Sequence, residues 1–298
     1  MKWEGNRQSD NVEDYRGDGD GGGGGGGGGF GLGGRSVGIG TIVLALIGSY
    51  VFGVNPMTLL SMLSGGGGGA VAPLQQGPAQ PTPANDRQAA FVRTVLADTE
   101  DTWTELFQEQ GRTYKMPKLD LFSGVIPTAC GTGQSATGPF YCPADQKVYI
   151  DLDFYRLMQE RFHVDGEFAQ AYVIAHEVGH HVQNQLGITA KVDAARRNAS
   201  ESQANAMSVR VELQADCLAG VWAFHANKAR SIIEQGDVEG ALKAATAIGD
   251  DTLQQQGRGY VVPDSFTHGT SAQRVRWFSK GLETGMVKQC DTFAARQL

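Results

Sequence analysis

The chain has 298 residues, a formal net charge of −7, 42 glycines and four cysteines. Its length admits one or two domains, and the glycines gather in the runs Gly21–Gly29 and Gly65–Gly69, which cannot build a core. The charge divides into −2 before residue 36 (four basic against six acidic side chains) and −5 after residue 85 (21 against 26), with no basic block, which argues against nucleic acid as a partner.

Residues 1–35 are polar, acidic and then glycine-rich, without apolar periodicity, and read as a disordered tail. From Ser36 to Val54 no charge occurs. As a helix that run is long enough to cross a hydrocarbon core of about 30 Å, so residues 36–60 read as a single transmembrane anchor. Arg35 abuts the run on its N-terminal side and no charge follows until Asp86. That asymmetry predicts a cytoplasmic N-terminus with the remaining chain beyond the membrane, periplasmic if the membrane is a bacterial inner one. Residues 61–85 read as a Gly- and Pro-rich linker, and 86–298 as one folded domain with ample length for a core.

Helical spacing of Ala90, Phe91, Val95, Leu96, Trp103, Leu106 and Phe107 predicts an amphipathic helix over Asp86–Gln110. Short β-like runs at Lys118–Ile126 and Lys147–Asp153 predict a small antiparallel sheet. The rest reads as helices at Phe154–Phe162, Glu167–Leu186, Ala190–Asn227 (one or two), Val238–Ala247, Asp250–Gln256 and Ser271–Leu282. The fold class is therefore α+β and mainly helical.

Cys130, Cys142, Cys217 and Cys290 include no C-x-x-C pair, which argues against a finger-type zinc site and for two disulfides in an oxidising compartment. Proximity pairs Cys130 with Cys142 around a loop of about a dozen residues, stabilising by roughly 3 kcal/mol. Counting leaves Cys217 with Cys290.

The stretch Ala171–Gln183 reads A-Y-V-I-A-H-E-V-G-H-H-V-Q. On a helix His176 and His180 stack on one face about a turn apart, where two imidazoles can grip one metal ion. Glu177 sits beside them, placed to take a proton from a water on that metal. Apolar neighbours nearly all round predict a buried helix, in which an unpaired carboxylate and two imidazoles would cost several kcal/mol that a bound dication offsets. A catalytic zinc usually takes three protein ligands. Downstream, V-E-L-Q-A-D-C-L-A-G places Glu212 and Asp216 on one helical face. Glu212 then reads as the third ligand, and Asp216 as the carboxylate that holds a ligand histidine by its Nδ1–H; the plainer reading of this pair is a solvated acidic face.

Together these segments place His176-Glu177-x-x-His180 ahead of Glu212-x-x-x-Asp216 and resemble the gluzincin zinc peptidases. The fuller text, P-T-A-C-G-T-G, G-P-F-Y-C-P-A-D, A-H-E-V-G-H-H-V-Q and R-V-E-L-Q-A-D-C-L-A-G, resembles the bacterial neutral zinc metallopeptidase family. The resemblance implies a zincin-like peptidase domain behind an N-terminal membrane anchor, one Zn²⁺ held by His176, His180 and Glu212, and Glu177 as general base. The segment S-F-T-H-G-T-S-A-Q-R (Ser265–Arg274) is similar to a Thr-His-Pro-x-x-x-x-Arg segment of membrane metallopeptidases, with Gly269 in place of the proline. By that similarity His268 would lean toward the reaction's oxyanion and Arg274 would brace the carboxylates, while a loop histidine satisfied by backbone is the plainer reading of His268.

His181 turns about 100° from His180 and reads as a packing residue. His163 and His225 have no partner motif, with His225 open as a second proton donor. The expected function is hydrolysis of peptide bonds in a protein substrate, with Val148–Leu152 as the edge that pairs with an extended peptide. The rival readings are a membrane-tethered zinc scaffold without catalysis and a cell-envelope interaction protein.

Overall fold

In the computed structural model, residues 1–17, 77–83, 85–134, 138–164 and 166–298 are described. They fall in one compact unit made of Met1–Gly21 and Gln76–Leu298. The expected anchor, 36–60, lies outside the described residues, and no helix among the described residues is long and apolar enough to cross a membrane.

The chain opens on a short strand, β1 (Val12–Asp14), and continues through α1 (Arg87–Glu109), β2 (Lys118–Phe122), β3 (Val125–Thr128), β4 (Gly131–Gln134), β5 (Phe140–Cys142) and β6 (Lys147–Asp151). Helices follow: α2 (Asp153–Phe162), α3 (Glu167–Gln185), α4 (Ile188–Arg196), α5 (Glu201–Arg230), α6 (Asp237–Ala247), α7 (Asp250–Arg258) and α8 (Ser271–Thr284). Local chemistry sets their ends. The Asp86 side chain accepts from the Ala89 amide at the start of α1, and capping boxes Ser200/Gln203 and Thr270/Gln273 open α5 and α8. Gly187, at φ 75°, turns the chain between α3 and α4.

The main sheet has the order β1-β2-β6-β5 and is mixed, which corrects the antiparallel expectation. β2 and β6 run parallel, Leu119 opposite Val148, while β5 runs antiparallel to β6 and β3–β4 form a separate hairpin. The two dozen residues between β2 and β6 supply the long crossover that parallel pairing requires. β6 is hydrogen-bonded to β2 along its length and to β5 over Lys147–Tyr149, so the expected edge at Val148–Leu152 is covered at Val148 and Tyr149; the outer strands are β1 and β5. The disulfide Cys130–Cys142 ties the β3–β4 turn to β5, and Cys217–Cys290 ties α5 to the C-terminal segment.

Residues 1–17 are not a disordered tail. Asp14 of β1 lies opposite Leu121 of β2 in parallel register, and Trp3 is buried against Phe91. The 61–85 linker is likewise anchored at its end, where Gln80 donates its amide to the Asp14 carbonyl at 2.7 Å. The folded unit therefore includes residues 1–17 together with those after 86. With three residues and two charges, β1 lacks the alternation that would announce a strand, and pairing with β2 supplies what its sequence does not.

Helix α3 runs through the centre, touching α1, α5, α6 and strands β5 and β6. Its Tyr172, Ile174, Val178 and Val182 have no exposed surface. That agrees with a helix apolar nearly all round. A Cβ at Gly179 would stand 3.0 Å from the Ala215 carbonyl oxygen, so glycine here lets α5 approach α3 closely. That approach brings the second acidic segment to the His-Glu-x-x-His motif.

Candidate metal centre

His176 and His180 leave α3 toward α5, where Glu212 meets them. The Nε2 atoms of the two histidines are 3.2 Å apart; Glu212 Oε2 is 3.2 Å from His176 Nε2, and Glu212 Oε1 is 3.6 Å from His180 Nε2. Three donors bound tetrahedrally to one zinc at 2.0–2.1 Å would be separated by about 3.3 Å. The separations lie near that value, the two contacts of Glu212 being made by different carboxylate oxygens, and the donor chemistry, two imidazoles and one carboxylate, suits that ion.

Burial works to lower the His176 pKa, but Asp216 and Glu212 outweigh it and raise it to about 10. Burial likewise opposes the charge on His180, and Glu212 raises its pKa. Glu212 goes the other way: burial would raise its pKa, yet His180 and His176 hold it well below the ordinary carboxylate range. A metal bound there would displace the proton of His176, whose pKa lies above neutrality.

Each ligand histidine has a partner on its far nitrogen. His176 Nδ1 donates to Asp216 Oδ1 at 2.9 Å. Asp216 has no exposed surface and receives the Tyr172 hydroxyl at 2.5 Å and two Arg274 nitrogens, Nε and Nη2, at 2.9 Å each. Burial alone would raise the Asp216 pKa, but Arg274 and then His176 bring it down to about 2. Asp216 and Arg274 are thereby placed behind His176, and neither is a solvated surface group.

His180 Nδ1 lies 2.9 Å from the Oε1 of Gln183, a fully buried amide that donates in turn to the Val211 carbonyl at 2.7 Å and to Gln214 Oε1 at 3.0 Å. Gln214 donates to the Cys290 carbonyl at 2.9 Å. Gln183 so fixes the tautomer that leaves His180 Nε2 free for metal. Replacing Gln183 by Leu is expected to weaken zinc binding by about 10–100-fold in competition with a chelator. An affinity equal to that of the unaltered protein would remove the amide from this role.

Glu177 is 7 % exposed and its carboxylate has no hydrogen-bond partner among the described residues. It is left free to act as a proton acceptor. The buried Tyr155 hydroxyl on α2 also lacks a partner among the described residues; burial and then Glu177 raise its pKa.

His268 is half-exposed in the loop before α8. Its Nδ1 lies 3.2 Å from Asp250 Oδ1, while Asp250 Oδ2 accepts the backbone amides of Thr267, His268 and Gly269 at 2.6–3.0 Å. The hydrogen bond to Asp250 is the leading cause of a raised His268 pKa, and the charge of Glu212 adds to it. Asp250 thus fixes the loop that holds His268.

The remaining histidines stand apart. His181 is buried between the Tyr141 hydroxyl and the Lys115 carbonyl, as a packing residue should be. His225 Nε2 bonds to the Gly285 carbonyl. His163 closes α2 in a left-handed conformation.

Sequence reasoning missed Gln183, Tyr172, Gln214 and Asp250. Two of them carry a readable signal: Gln183 is three residues after His180 and Tyr172 four before His176, on the motif's own face. Gln214 and Asp250 reach the site through tertiary packing and have no such mark.

The model of the family described as "Putative neutral zinc metallopeptidase" matches residues 1–293 of this chain. The chain is 50% identical over 293 residues to the uncharacterized protein YpfJ of Escherichia coli (strain K12), covering 98% of this chain and 99% of that protein. It is 40% identical over 218 residues to the uncharacterized protein Rv2575 of Mycobacterium tuberculosis, covering 70% and 73%. No solved structure matches it.

Proposed function

The chain belongs to the neutral zinc metallopeptidase family, and from that premise we propose that it hydrolyses peptide bonds of protein substrates with one zinc ion held by His176, His180 and Glu212. The observation that carries this reading is the set of donor separations, 3.2, 3.2 and 3.6 Å, with a free carboxylate, Glu177, on the next residue of the same helix. When bound there, zinc would act as a Lewis acid toward the scissile carbonyl and lower the pKa of a water.

The protein's own groups do the rest. Glu177 takes a proton from the attacking water and returns it to the leaving amine, so the carboxylate is regenerated at the end of the cycle. His268, held in place by Asp250, donates a hydrogen bond toward negative charge developing on the carbonyl oxygen. Asp216, Gln183 and Arg274 touch no substrate and hold the ligands in register. The peptide itself adds to the outer edge of β5, whose Tyr141 hydroxyl is tied to His181 and Asn184 of α3. The substrates we propose are extracytoplasmic proteins, in keeping with the two disulfides.

The test uses the full chain, purified and assayed for zinc by mass spectrometry and for cleavage of an unfolded protein. One zinc per chain is expected, with cleavage lost on chelation and restored by zinc. A zinc-free protein that binds none on titration would overturn the metal site, and a loaded protein that cleaves nothing would leave the peptidase reading without support.

A further inference from the structure

The N-terminal segment is built into the unit that carries the metal site. β1 is the outer strand of the main sheet, in register with β2 from Val12/Leu119 to Asp14/Leu121. Trp3, 6 % exposed, donates its indole N–H to Glu167 Oε2 at 2.8 Å, at the first turn of the motif helix. Lys2 donates its amide to the Ile232 carbonyl beyond α5.

The interior of α1 depends on the same segment. Glu100 is 1 % exposed, and its carboxylate accepts from Ser9 Oγ at 2.6 Å, Asn11 Nδ2 at 2.7 Å and Arg7 Nη2 at 3.0 Å. All three partners come from the first eleven residues. Without them a buried carboxylate would stand alone. Arg93 of α1 also reaches back, to the Ser9 and Val12 carbonyls. Farther on, the chain departs and returns at one place: Gln80 donates to the Asp14 carbonyl, and Arg16 pairs with Asp86 at 2.7 Å.

The charge-free run Ser36–Val54 lies in sequence between these two halves. A single crossing of a hydrocarbon core about 30 Å thick would leave Met1–Gly17 on one side of the membrane and residues 77–298 on the other. β1 could then pair with β2 neither in its own chain nor in another copy, and Glu100 would be unsatisfied in every molecule. We infer that Met1–Gly17 and residues 77–298 share one compartment with β1 docked on β2, so the chain between them returns to the side from which it leaves. The expected arrangement, with a cytoplasmic N-terminus and an extracytoplasmic catalytic domain, is incompatible with this packing. Charge asymmetry around the apolar run favoured that arrangement. It weighs far less than a strand pairing and a buried carboxylate whose partners among the described residues are N-terminal ones.

The inference stands whether or not the chain proves to be a peptidase, and its test reads position alone. The full chain is expressed in bacteria as two variants at exposed positions, Gln8→Cys and Lys243→Cys, with the unaltered chain as background, since its cysteines are paired. A membrane-impermeant maleimide is applied to spheroplasts and to inverted vesicles. Both cysteines are expected to label in the same preparation. In parallel, a zero-length carbodiimide is applied to the membranes to join Glu13 to Lys147, whose Oε2 and Nζ atoms are 3.0 Å apart, and the joined peptides are sought by mass spectrometry. The cross-link is expected in the unaltered chain and lost in Glu13→Gln. Labelling from opposite sides, or absence of that cross-link in the unaltered chain, overturns the inference.

Discussion

Replacing Glu177 by Gln is expected to leave the zinc content at one ion per chain while hydrolysis falls by about 10²–10⁴-fold, the usual contribution of a positioned general base. The two halves of that expectation rest on different observations. Zinc is retained because the donors are His176, His180 and Glu212, and Glu177 is not among them. The fold is retained because the Glu177 carboxylate holds no hydrogen-bond partner among the described residues, so the isosteric amide breaks no existing hydrogen bond. What disappears is proton acceptance, since an amide oxygen cannot take and return the proton of the attacking water. The assay compares zinc stoichiometry and turnover of an unfolded protein for both proteins. A variant with full activity would remove Glu177 from the base role, and one that lost zinc as well would mean that it supports the ligands instead.

That the centre could be read before the fold follows from where its residues sit. His176, Glu177 and His180 belong to one helix turn, and helix periodicity converts their spacing directly into a shared face. Glu212 and Asp216 were legible for the same reason, on a helix whose apolar neighbours mark it as buried. Both disulfides followed from counting and proximity and are present. The sheet was less legible. β1 is too short and too charged to announce itself, and nothing in the sequence of β2 and β6 distinguishes parallel from antiparallel pairing until the crossover between them is seen. The largest departure, the docked N-terminus, has the same origin: Ser9 and Asn11 look like a polar tail until Glu100, buried in the middle of α1, is seen to need them. The signal was present in reverse, as an acid in an otherwise apolar stripe of α1, and it required a partner that sequence order places far away.

Arg274→Met is expected to destabilise the protein by about 3–5 kcal/mol, the cost of stranding one member of a buried ion pair. Arg274 is 2 % exposed, and its Nε and Nη2 each lie 2.9 Å from Asp216, which has no exposed surface at all. The methionine fills much of the volume of the arginine stem, so the loss is electrostatic more than steric. Without the guanidinium, burial of the Asp216 carboxylate is opposed only by His176 and the Tyr172 hydroxyl, and its pKa must rise from about 2. A protonated Asp216 is a poorer acceptor for the Nδ1–H of His176, so zinc affinity falls with stability. Adding Asp216→Asn to Arg274→Met removes the stranded charge. The double variant should therefore be less destabilised than the sum of the two single changes, a coupling that unfolding in urea measures for metal-free protein. Zinc affinity should not recover in parallel, because asparagine supplies a neutral oxygen to His176 in place of a carboxylate. Strict additivity in stability would show that Arg274 and Asp216 act independently despite their contact. Recovered zinc affinity in the double variant would show that His176 needs an acceptor of any kind and that the charge on Asp216 serves the fold alone.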